Sequence, residues 1–520
     1  MTYTTVEIIE PFWAENSTER SGRDPLAMQN SSVVIYANMI VGITNVTNRM
    51  RYMGFYCWLF EAIGQKVTKA NSRVEQQLYL RRAELLIAYI MVKNFPEVTG
   101  ISGSDYASRN IEPTIILSKG ADIENKRTGK IYWQDSFGIF GQYFSSAMRD
   151  LDLMYHPQDD INIYTMSPKG QRLGQAFAAN VHARLLEYFL KSIFDGTIAE
   201  NNLVDFTPFA LHIIPPNSLE EKLHRELLLS VDDKNIHRTY NRRNTIQMLL
   251  KLLHENPDGI ENLPSTFLRN NYENHAKNKD LENDTSTAWY LFEINELLHV
   301  AFEHFHAAFQ YSIAKYPTSM NDTLQNLQDE TAAVFEKESI NAYKLTLNEL
   351  SEQVEVETVY DYFSAMEKSY KKDWGVCLSN AIRTIVAVYK QSKDQMNQLF
   401  EFARLPENNY IRPGIAIELL TELVEQKRSL TLHEYTRAIL LHVINLHTFS
   451  SYQKSRIGQG LVHNYMIESN MAWRVRETSP SRTTPRLQNA TQYLLDTGLL
   501  RKDGKLIQIT DDGLKVIVSL

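Results

Sequence analysis

Cysteine is nearly absent from this chain of 520 residues, which contains only Cys57 and Cys377. Two cysteines cannot build a disulfide framework or, by themselves, a structural zinc site. The first residues are polar and lack the apolar segment of a signal peptide. Together these absences favour a protein of the reducing cytoplasm, with no disulfides and no cofactor.

Long apolar runs are also missing. One of the longest, from Ala83 to Val92, is about half of the roughly 20 residues that a bilayer-spanning helix requires. We therefore expect no contact with a membrane.

Common catalytic motifs are absent as well. The sequence has no Gly-x-x-x-x-Gly-Lys-Ser/Thr loop, no Gly-x-Ser-x-Gly elbow and no Cys-x-x-Cys pair. Their absence excludes the nucleotide-hydrolysing, serine-hydrolase and dithiol enzymes that depend on them. The sequence thus favours a binding protein over an enzyme.

Charge is unevenly distributed along the chain. The net charge is −8, but the stretch from Tyr452 to Leu506 carries nine basic residues against four acidic ones. An acidic body with a basic C-terminal region indicates a local contact with an anionic partner, not a surface that coats nucleic acid everywhere.

Helical periodicity dominates the centre of the chain, and prolines punctuate it. We predict a mainly α fold, in which a central helical bundle or array is flanked by two winged-helix modules. The predicted segments are an N-terminal helical segment (1–72), a winged-helix-like module with a loop insertion (73–178), an all-helical domain (179–430) and a basic winged-helix module (431–520).

The winged-helix prediction comes from a repeated pattern. In both copies a helix is followed by a turn, a short strand and the motif Ser/Thr-x-x-Gly-x-x-Leu/Val. The motif begins at Ser167 in the first copy, after a strand at 161–164, and at Thr510 in the second, after a charged turn at 501–505 and a strand at 506–509. The Ser or Thr hydroxyl is expected to cap the last helix, and the glycine to allow close packing. Two unrelated α/β corners are the alternative.

Each copy also has an upstream segment suited to be its first helix, Leu78 to Asn94 and Glu434 to Phe449. A winged helix places its third helix and its hairpin against DNA or a protein partner. In the second copy that helix is predicted at 486–500.

Basic residues near this second copy are the predicted contacts to DNA phosphates. They are Arg474, Arg476, Arg482, Arg486, Arg501, Lys502 and Lys505. A solvated basic face is the alternative. The first copy has Asp150, Asp152, Asp159 and Asp160 around its hairpin, which favours a protein partner.

Three further groups were candidates for chemistry. Arg49 and Arg51 beside a Thr/Asn-rich turn could bind an anion, although an arginine paired with Asp24 is the preferred interpretation. A Glu-x-x-His pattern is repeated on one helix (Glu296, His299, Glu303, His306) and suggests metal ligands, but a buried polar stripe is preferred. Arg269-Asn270 with His275 resembles the signature of HEPN ribonucleases, a short pattern that is common by chance.

The N-terminal region resembles a group of uncharacterised proteins of bacterial anti-phage defence islands. The resemblance covers Gly22 to Leu26, Gly42 to Tyr52 and Phe55 to Trp58. Winged helices at both ends of a helical chain are similar to kleisin-type subunits of SMC ATPases. Together the two features suggest an accessory subunit of a Lamassu-type anti-phage or anti-plasmid system.

That resemblance implies a non-catalytic scaffold that bridges an SMC-like ATPase, an effector nuclease and DNA, with docking surfaces at 140–173 and 486–516. Two alternatives stay open. One is a stand-alone winged-helix regulator that binds a defined DNA site. The other is a HEPN-like effector ribonuclease.

Overall fold

A computed structural model describes residues 24–44, 48–66, 72–128, 130–156, 163–232, 235–278, 284–411, 416–456, 462–483 and 485–519. Within these ranges the protein has 21 α-helices and nine short strands, so the prediction of a mainly helical fold is confirmed. No helix in the described ranges is long and apolar enough to cross a membrane.

The helices in chain order are α1 (Gln29–Met39), α2 (Tyr52–Gly64), α3 (Ser72–Asn94), α4 (Ser104–Arg109), α5 (Leu117–Ala121), α6 (Ser145–Asp150), α7 (Pro168–Ala179), α8 (Ala183–Asp195), α9 (Leu219–Leu229), α10 (Ile236–His254), α11 (Leu263–Asn278), α12 (Asp284–Ser312), α13 (Met320–Lys337), α14 (Leu347–Gln353), α15 (Val359–Ser369), α16 (Trp374–Ser392), α17 (Met396–Arg404), α18 (Ala416–Leu423), α19 (Leu432–Arg456), α20 (Leu487–Asp496) and α21 (Asp511–Ser519). Short 3₁₀ segments lie at Ile123–Thr128, Glu200–Phe209, Val356–Thr358, Lys393–Gln395, Pro406–Asn408 and Glu425–Lys427, and a π turn lies at Phe140–Phe144.

The strands are β1 (Thr114–Ile116), β2 (Met154–Tyr155), β3 (Thr165–Met166), β4 (Thr197–Ala199), β5 (Thr318–Ser319), β6 (Tyr465–Glu468), β7 (Met471–Arg474), β8 (Leu500–Asp503) and β9 (Leu506–Ile509). They form antiparallel pairs β1–β4, β2–β3 and β8–β9, and a three-stranded sheet in the order β5-β7-β6. In the β8–β9 hairpin, Leu500 is opposite Ile509 and Asp503 is opposite Leu506.

The chain divides into two compact units, and each is built from two separate segments of the sequence. The first unit comprises residues 1–36 and 268–483, and the second comprises 37–267 and 484–520. The boundary at 483 falls within the predicted C-terminal segment 431–520. Helix α19 therefore belongs to the first unit, whereas α20 and α21 belong to the second.

Helix α12 is the centre of the first unit. Every residue from Thr287 to Gln310 is buried, and the helix packs against α16, α18 and α19. A helix enclosed on all sides is expected to be apolar around its whole circumference. This one also carries buried carboxylates and imidazoles, which require partners inside the protein.

Helix α2 plays the corresponding part in the second unit. Its aromatic residues, including Tyr52, Phe55 and Tyr56, are buried, and rings of this size contribute much of the apolar area in a core. Helix α7 packs closely on it, because Gly174 has no side chain: a Cβ there would lie 2.7 Å from the backbone nitrogen of Trp58. The glycine is what allows this approach.

Candidate functional site

The second copy of the repeated pattern begins where α20 ends. Gly498 has a positive φ of 68°, a conformation that glycine adopts without strain. Its N–H donates to the carbonyl of Leu495 (3.1 Å), and the N–H of Leu499 donates to the carbonyl of Leu494 (3.0 Å). This pair of bonds is a Schellman ending, which satisfies the last carbonyls of α20 and turns the chain into β8.

The hairpin β8–β9 returns the chain to the same point. The N–H of Thr510 donates to the carbonyl of Leu499 (3.2 Å), and the Thr510 hydroxyl accepts from the N–H of Gly513 (3.2 Å) and so caps α21. A Cβ at Gly513 would lie 2.4 Å from the carbonyl oxygen of Leu499. Both predicted roles, the cap and the close approach, are confirmed at this end of the chain.

The first copy makes the equivalent backbone and capping hydrogen bonds. Asp152 takes the position with positive φ (55°), and the N–H of Leu153 donates to the carbonyl of Met148 (2.9 Å). The N–H of Ser167 then donates to the carbonyl of Leu153 (3.0 Å), and the Ser167 hydroxyl accepts from Gly170 N–H (3.1 Å). A Cβ at Gly170 would lie 2.1 Å from Leu153 O. The two elements therefore share one helix–hairpin–helix construction.

Some predicted details differ. The strand before Ser167 is Thr165–Met166, later than the predicted 161–164, of which 161 and 162 lie outside the described residues. The predicted charged turn at 501–505 is mostly strand, because Arg501 to Asp503 pair with β9. The first predicted upstream helix, 78–94, lies in α3 of the same unit as its hairpin, whereas the second, 434–449, lies in α19 of the other unit.

The C-terminal hairpin is anchored along its β9 edge. Ile260 and Ile507 exchange two backbone hydrogen bonds, of 3.0 and 2.9 Å, and Gly259 allows the two segments to meet. Arg501, Lys502 and Lys505 remain exposed on this hairpin. Lys505 makes a long ion pair of 3.6 Å with Glu261, an exposed contact of little energetic weight.

The other four residues predicted to contact phosphate make ion pairs or hydrogen bonds within the protein. Arg474 lies in β7 and pairs with Glu477 at 3.2 Å, and Arg476 donates to Asn464 Oδ1 (3.2 Å). Arg482 pairs with Glu293 of α12, and Arg486 donates to the carbonyl of Ile43 (2.8 Å). The first three belong to the first unit and Arg486 to the second, so the seven residues do not form one basic surface within either unit.

Two of the four acidic residues predicted near the first hairpin, Asp150 and Asp152, lie in the described part of the chain. Asp150 makes an ion pair of 3.5 Å with Arg238, and Asp152 takes the turn position described above. Asp159 and Asp160 lie outside the described residues.

Arg49 and Arg51 bind carboxylates of the chain itself. Arg51 is 2% exposed and donates two hydrogen bonds to the Glu220 carboxylate, from Nε (2.9 Å) and Nη2 (3.1 Å). Arg49 contacts Asp496 at 3.3 Å. The preferred interpretation, an arginine paired with Asp24, is wrong. The Asp24 carboxylate instead accepts a hydrogen bond from the N–H of Met28 (2.9 Å). Residues 45–47 of the predicted anion-binding turn lie outside the described residues, and both guanidinium groups are already engaged.

Three of the four residues of the Glu-x-x-His pattern come together. His299 Nε2 lies 3.1 Å from Glu303 Oε1, and Nδ1 lies 3.7 Å from Glu296 Oε1. Burial alone would lower the pKa of His299, but the two carboxylates raise it to about 10. His306 has other neighbours, Asn464 Nδ2 at 2.9 Å and Tyr465 Oη at 3.3 Å. The predicted buried polar stripe is therefore present.

An extended segment, 478–483, runs along this stripe. Backbone N–H groups of Thr478, Ser481 and Thr483 donate to Gln310, Glu303 and Glu296 at 3.3, 2.9 and 2.6 Å. The acceptors are spaced seven residues apart, which places them on one face of α12. The sequence predicted the stripe but not this segment, because nothing in local spacing connects positions 168 to 187 residues apart.

Two of the HEPN-like residues, His275 and Arg269, bond to different partners. His275 is buried, and its Nε2 lies 2.7 Å from the hydroxyl of Ser286. Burial lowers the pKa of His275 to about 4. Arg269 instead pairs with Glu273 at 2.7 Å on the protein surface, so the imidazole and the guanidinium have separate partners.

No family model, curated protein or solved structure matched this chain. The residues and their contacts are therefore the basis for any functional proposal.

Proposed function

We propose that this protein is a non-catalytic accessory subunit of a DNA-sensing defence complex. In this proposal its two helix–hairpin–helix elements act as winged-helix modules that bind partners. The single observation that carries the proposal is the repeated construction around Gly170 and Gly513, in which every capping bond of one copy has an equivalent in the other.

The C-terminal hairpin is the proposed contact to DNA. Arg501, Lys502 and Lys505 are exposed on it, and exposed cations on a wing suit phosphate oxygens. The backbone bonds to Ile260 hold the hairpin in place, with Arg501 and Lys502 on its strand β8 and Lys505 in its turn. Arg474, Arg476, Arg482 and Arg486 are not part of this proposed contact, since their guanidinium groups bond within the protein.

Protein partners are proposed for the first element. Its surface at 140–173 would dock an SMC-like ATPase or an effector nuclease, as the resemblance to Lamassu-type systems implies, whereas 486–516 would face DNA. The complex would act in anti-phage or anti-plasmid defence in the cytoplasm.

Binding to duplex DNA tests the hairpin proposal. Fluorescence anisotropy on the full chain would compare wild type, Arg501→Ala/Lys502→Ala/Lys505→Ala and the charge-matched control Lys337→Ala/Lys368→Ala/Lys372→Ala, whose lysines are exposed. We expect only the hairpin variant to bind more weakly, with a log–log salt slope that is smaller by about three. Equal affinities of the two triple variants would contradict the proposal.

Co-purification tests the scaffold role. The tagged protein, expressed with its neighbouring genes, should retain an SMC-type ATPase and a nuclease, while the isolated chain should hydrolyse neither nucleotide nor nucleic acid. Nuclease activity of the isolated chain that His275→Ala abolishes would instead support the ribonuclease alternative.

A further inference from the structure

Three potential metal ligands from two segments of the first unit lie close together. Asp24 precedes α1, and His299 and Glu303 lie one turn apart on α12. One ligand atom from each residue lies within 4.8 Å of the other two. Donors about 2.1 Å from one ion are about 3 Å apart when at right angles and about 4 Å when opposite. His299 Nε2 and Glu303 Oε1, which are 3.1 Å apart, have the first of these separations.

His299 supplies a second, independent observation. Its side chain is 0% exposed, and among the described residues neither ring nitrogen makes a hydrogen bond of good geometry. Glu303 lies 3.1 Å from Nε2 and Glu296 lies 3.7 Å from Nδ1, and neither contact has the geometry of a hydrogen bond. Buried polar atoms without hydrogen bonds are uncommon and costly. An ion bound at Nε2 would satisfy that nitrogen.

The local charge also suits a divalent ion. Asp24, Glu296 and Glu303 carry three negative charges, and Lys454, which donates to the backbone carbonyl of Asp24, carries one positive charge. Metal ligation requires a neutral imidazole, so an ion at Nε2 displaces the proton that the two carboxylates favour on His299, and the group around the ion then has a net charge of −2. Because buried charges require compensation, a divalent cation would balance this group.

We propose that Asp24, His299 and Glu303 ligate one divalent transition-metal ion of the Zn²⁺ or Mn²⁺ class. His299 binds through Nε2, and Glu296 orients the ring from the Nδ1 side, as carboxylates do for many metal-bound histidines. The ion ties the segment before α1 to α12. Three protein ligands also leave a coordination position for water. This proposal is independent of the role given to the C-terminal hairpin.

Metal uptake by the full chain tests the site. Protein stripped with a chelator would be dialysed against Zn²⁺ or Mn²⁺, and bound metal would be measured by mass spectrometry. We expect one ion per chain, with affinity reduced at least roughly tenfold in Asp24→Asn and in Glu303→Gln. Both substitutions keep an oxygen for the existing bonds, Asp24 from Met28 N–H and Glu303 from Ser481 N–H.

The control is Asp329→Asn, which removes the carboxylate of an exposed His–Asp pair (His433 to Asp329, 3.1 Å) and should bind metal as wild type does. Absence of stoichiometric uptake of either ion by wild type would overturn the proposal, as would unchanged affinity in folded Asp24→Asn and Glu303→Gln. X-ray absorption of the zinc-loaded wild type gives a test without variants. One imidazole among oxygen donors is expected, and several imidazoles or any sulfur donor would overturn the assignment.

Discussion

Gly513 lies directly against the carbonyl oxygen of Leu499, so that a Cβ at position 513 would stand 2.4 Å from that oxygen. Gly170 has the same relationship to Leu153, at 2.1 Å. In both elements the helix after the hairpin crosses the end of the helix before it at backbone contact distance. Each crossing requires a residue without a side chain.

Alanine at either glycine should destabilise the protein. The obstructing atom is a backbone oxygen and cannot rotate away, so we expect Gly170→Ala and Gly513→Ala each to cost about 1–3 kcal/mol. Gly64→Ala is the control, because a Cβ there meets no atom within 4 Å, and helical alanine should be neutral or stabilising by up to about 1 kcal/mol. Urea-unfolding midpoints measure the difference. Midpoints at 170 and 513 equal to that of Gly64→Ala would contradict the packing argument.

Removing the charge of Glu220 should be more damaging than removing a surface charge. Glu220→Gln leaves the 2%-exposed Arg51 without its counter-ion, which typically costs about 3–5 kcal/mol. Glu401→Gln is the matched control, since its pair with Arg404 (3.0 Å) is two-thirds exposed or more on both sides and should contribute less than about 1 kcal/mol. Thermal unfolding of both variants tests this. Similar losses would show that the buried pair is not important for stability.

Features encoded by adjacent residues were predictable from the sequence. The caps at Ser167 and Thr510, the glycines three residues later and the hairpins before them all follow from local spacing and hydrogen-bonding capacity. The helical content of the centre follows from periodicity in the same way. The partners in these interactions lie close together in the sequence, as Ser167 does to Leu153 and Thr510 to Leu499, so local patterns are enough to predict them.

Features that depend on distant residues were not predictable. Arg51 bonds to Glu220, which is 169 positions away in the sequence. Asp24 and His299 have ligand atoms within 4.8 Å of each other, although no spacing rule connects them. Charge in the sequence also does not say which way a side chain points: Arg474, Arg476 and Arg482 bond inside the first unit, whereas Arg501, Lys502 and Lys505 of the hairpin are exposed. The contacts of such residues are decided by tertiary packing.

Asp496 should make stability depend on pH. Its side chain is 2% exposed, and burial raises its pKa to about 6, although bonds from Gln492, Met50 N–H and Arg49 oppose this. In the unfolded chain the pKa is near 3.9. Below about pH 4 the group is protonated in both states and carries no penalty. Between about pH 4 and pH 6 the unfolded chain ionises while the buried carboxyl stays protonated, so stability is lost as the pH rises through the folded pKa of about 6.

Asp496→Asn removes this dependence, because the amide does not titrate. We expect its stability relative to wild type to increase by about 2 kcal/mol between pH 4 and pH 7. Urea unfolding at the two pH values measures the difference, and the pH 4 comparison serves as the control for any lost packing. A stability difference that is the same at both pH values would exclude a raised pKa at Asp496.

Substitution of Arg482 distinguishes its sequence-based assignment, a contact to DNA, from its structural one, the partner of Glu293. As a DNA contact, its loss would weaken DNA binding. Arg482 is the partner of Glu293, whose side chain is 1% exposed. Loss of Arg482 should leave a buried carboxylate that, among the described residues, accepts a hydrogen bond from Tyr360 alone (3.1 Å). We therefore expect Arg482→Ala to lower stability by roughly 2–5 kcal/mol and to leave DNA affinity unchanged, unlike the triple substitution of the hairpin.

The double variant Arg482→Met/Glu293→Leu distinguishes loss of the pair from loss of packing. Replacing both charges with apolar groups of similar size removes the unpaired carboxylate, so much of the lost stability should return. Thermal unfolding and DNA anisotropy on the same preparations give both measurements. If folded Arg482→Ala weakens DNA binding as much as the hairpin variant does, then Arg482 reaches the nucleic acid and the hairpin cations are not sufficient for the contact.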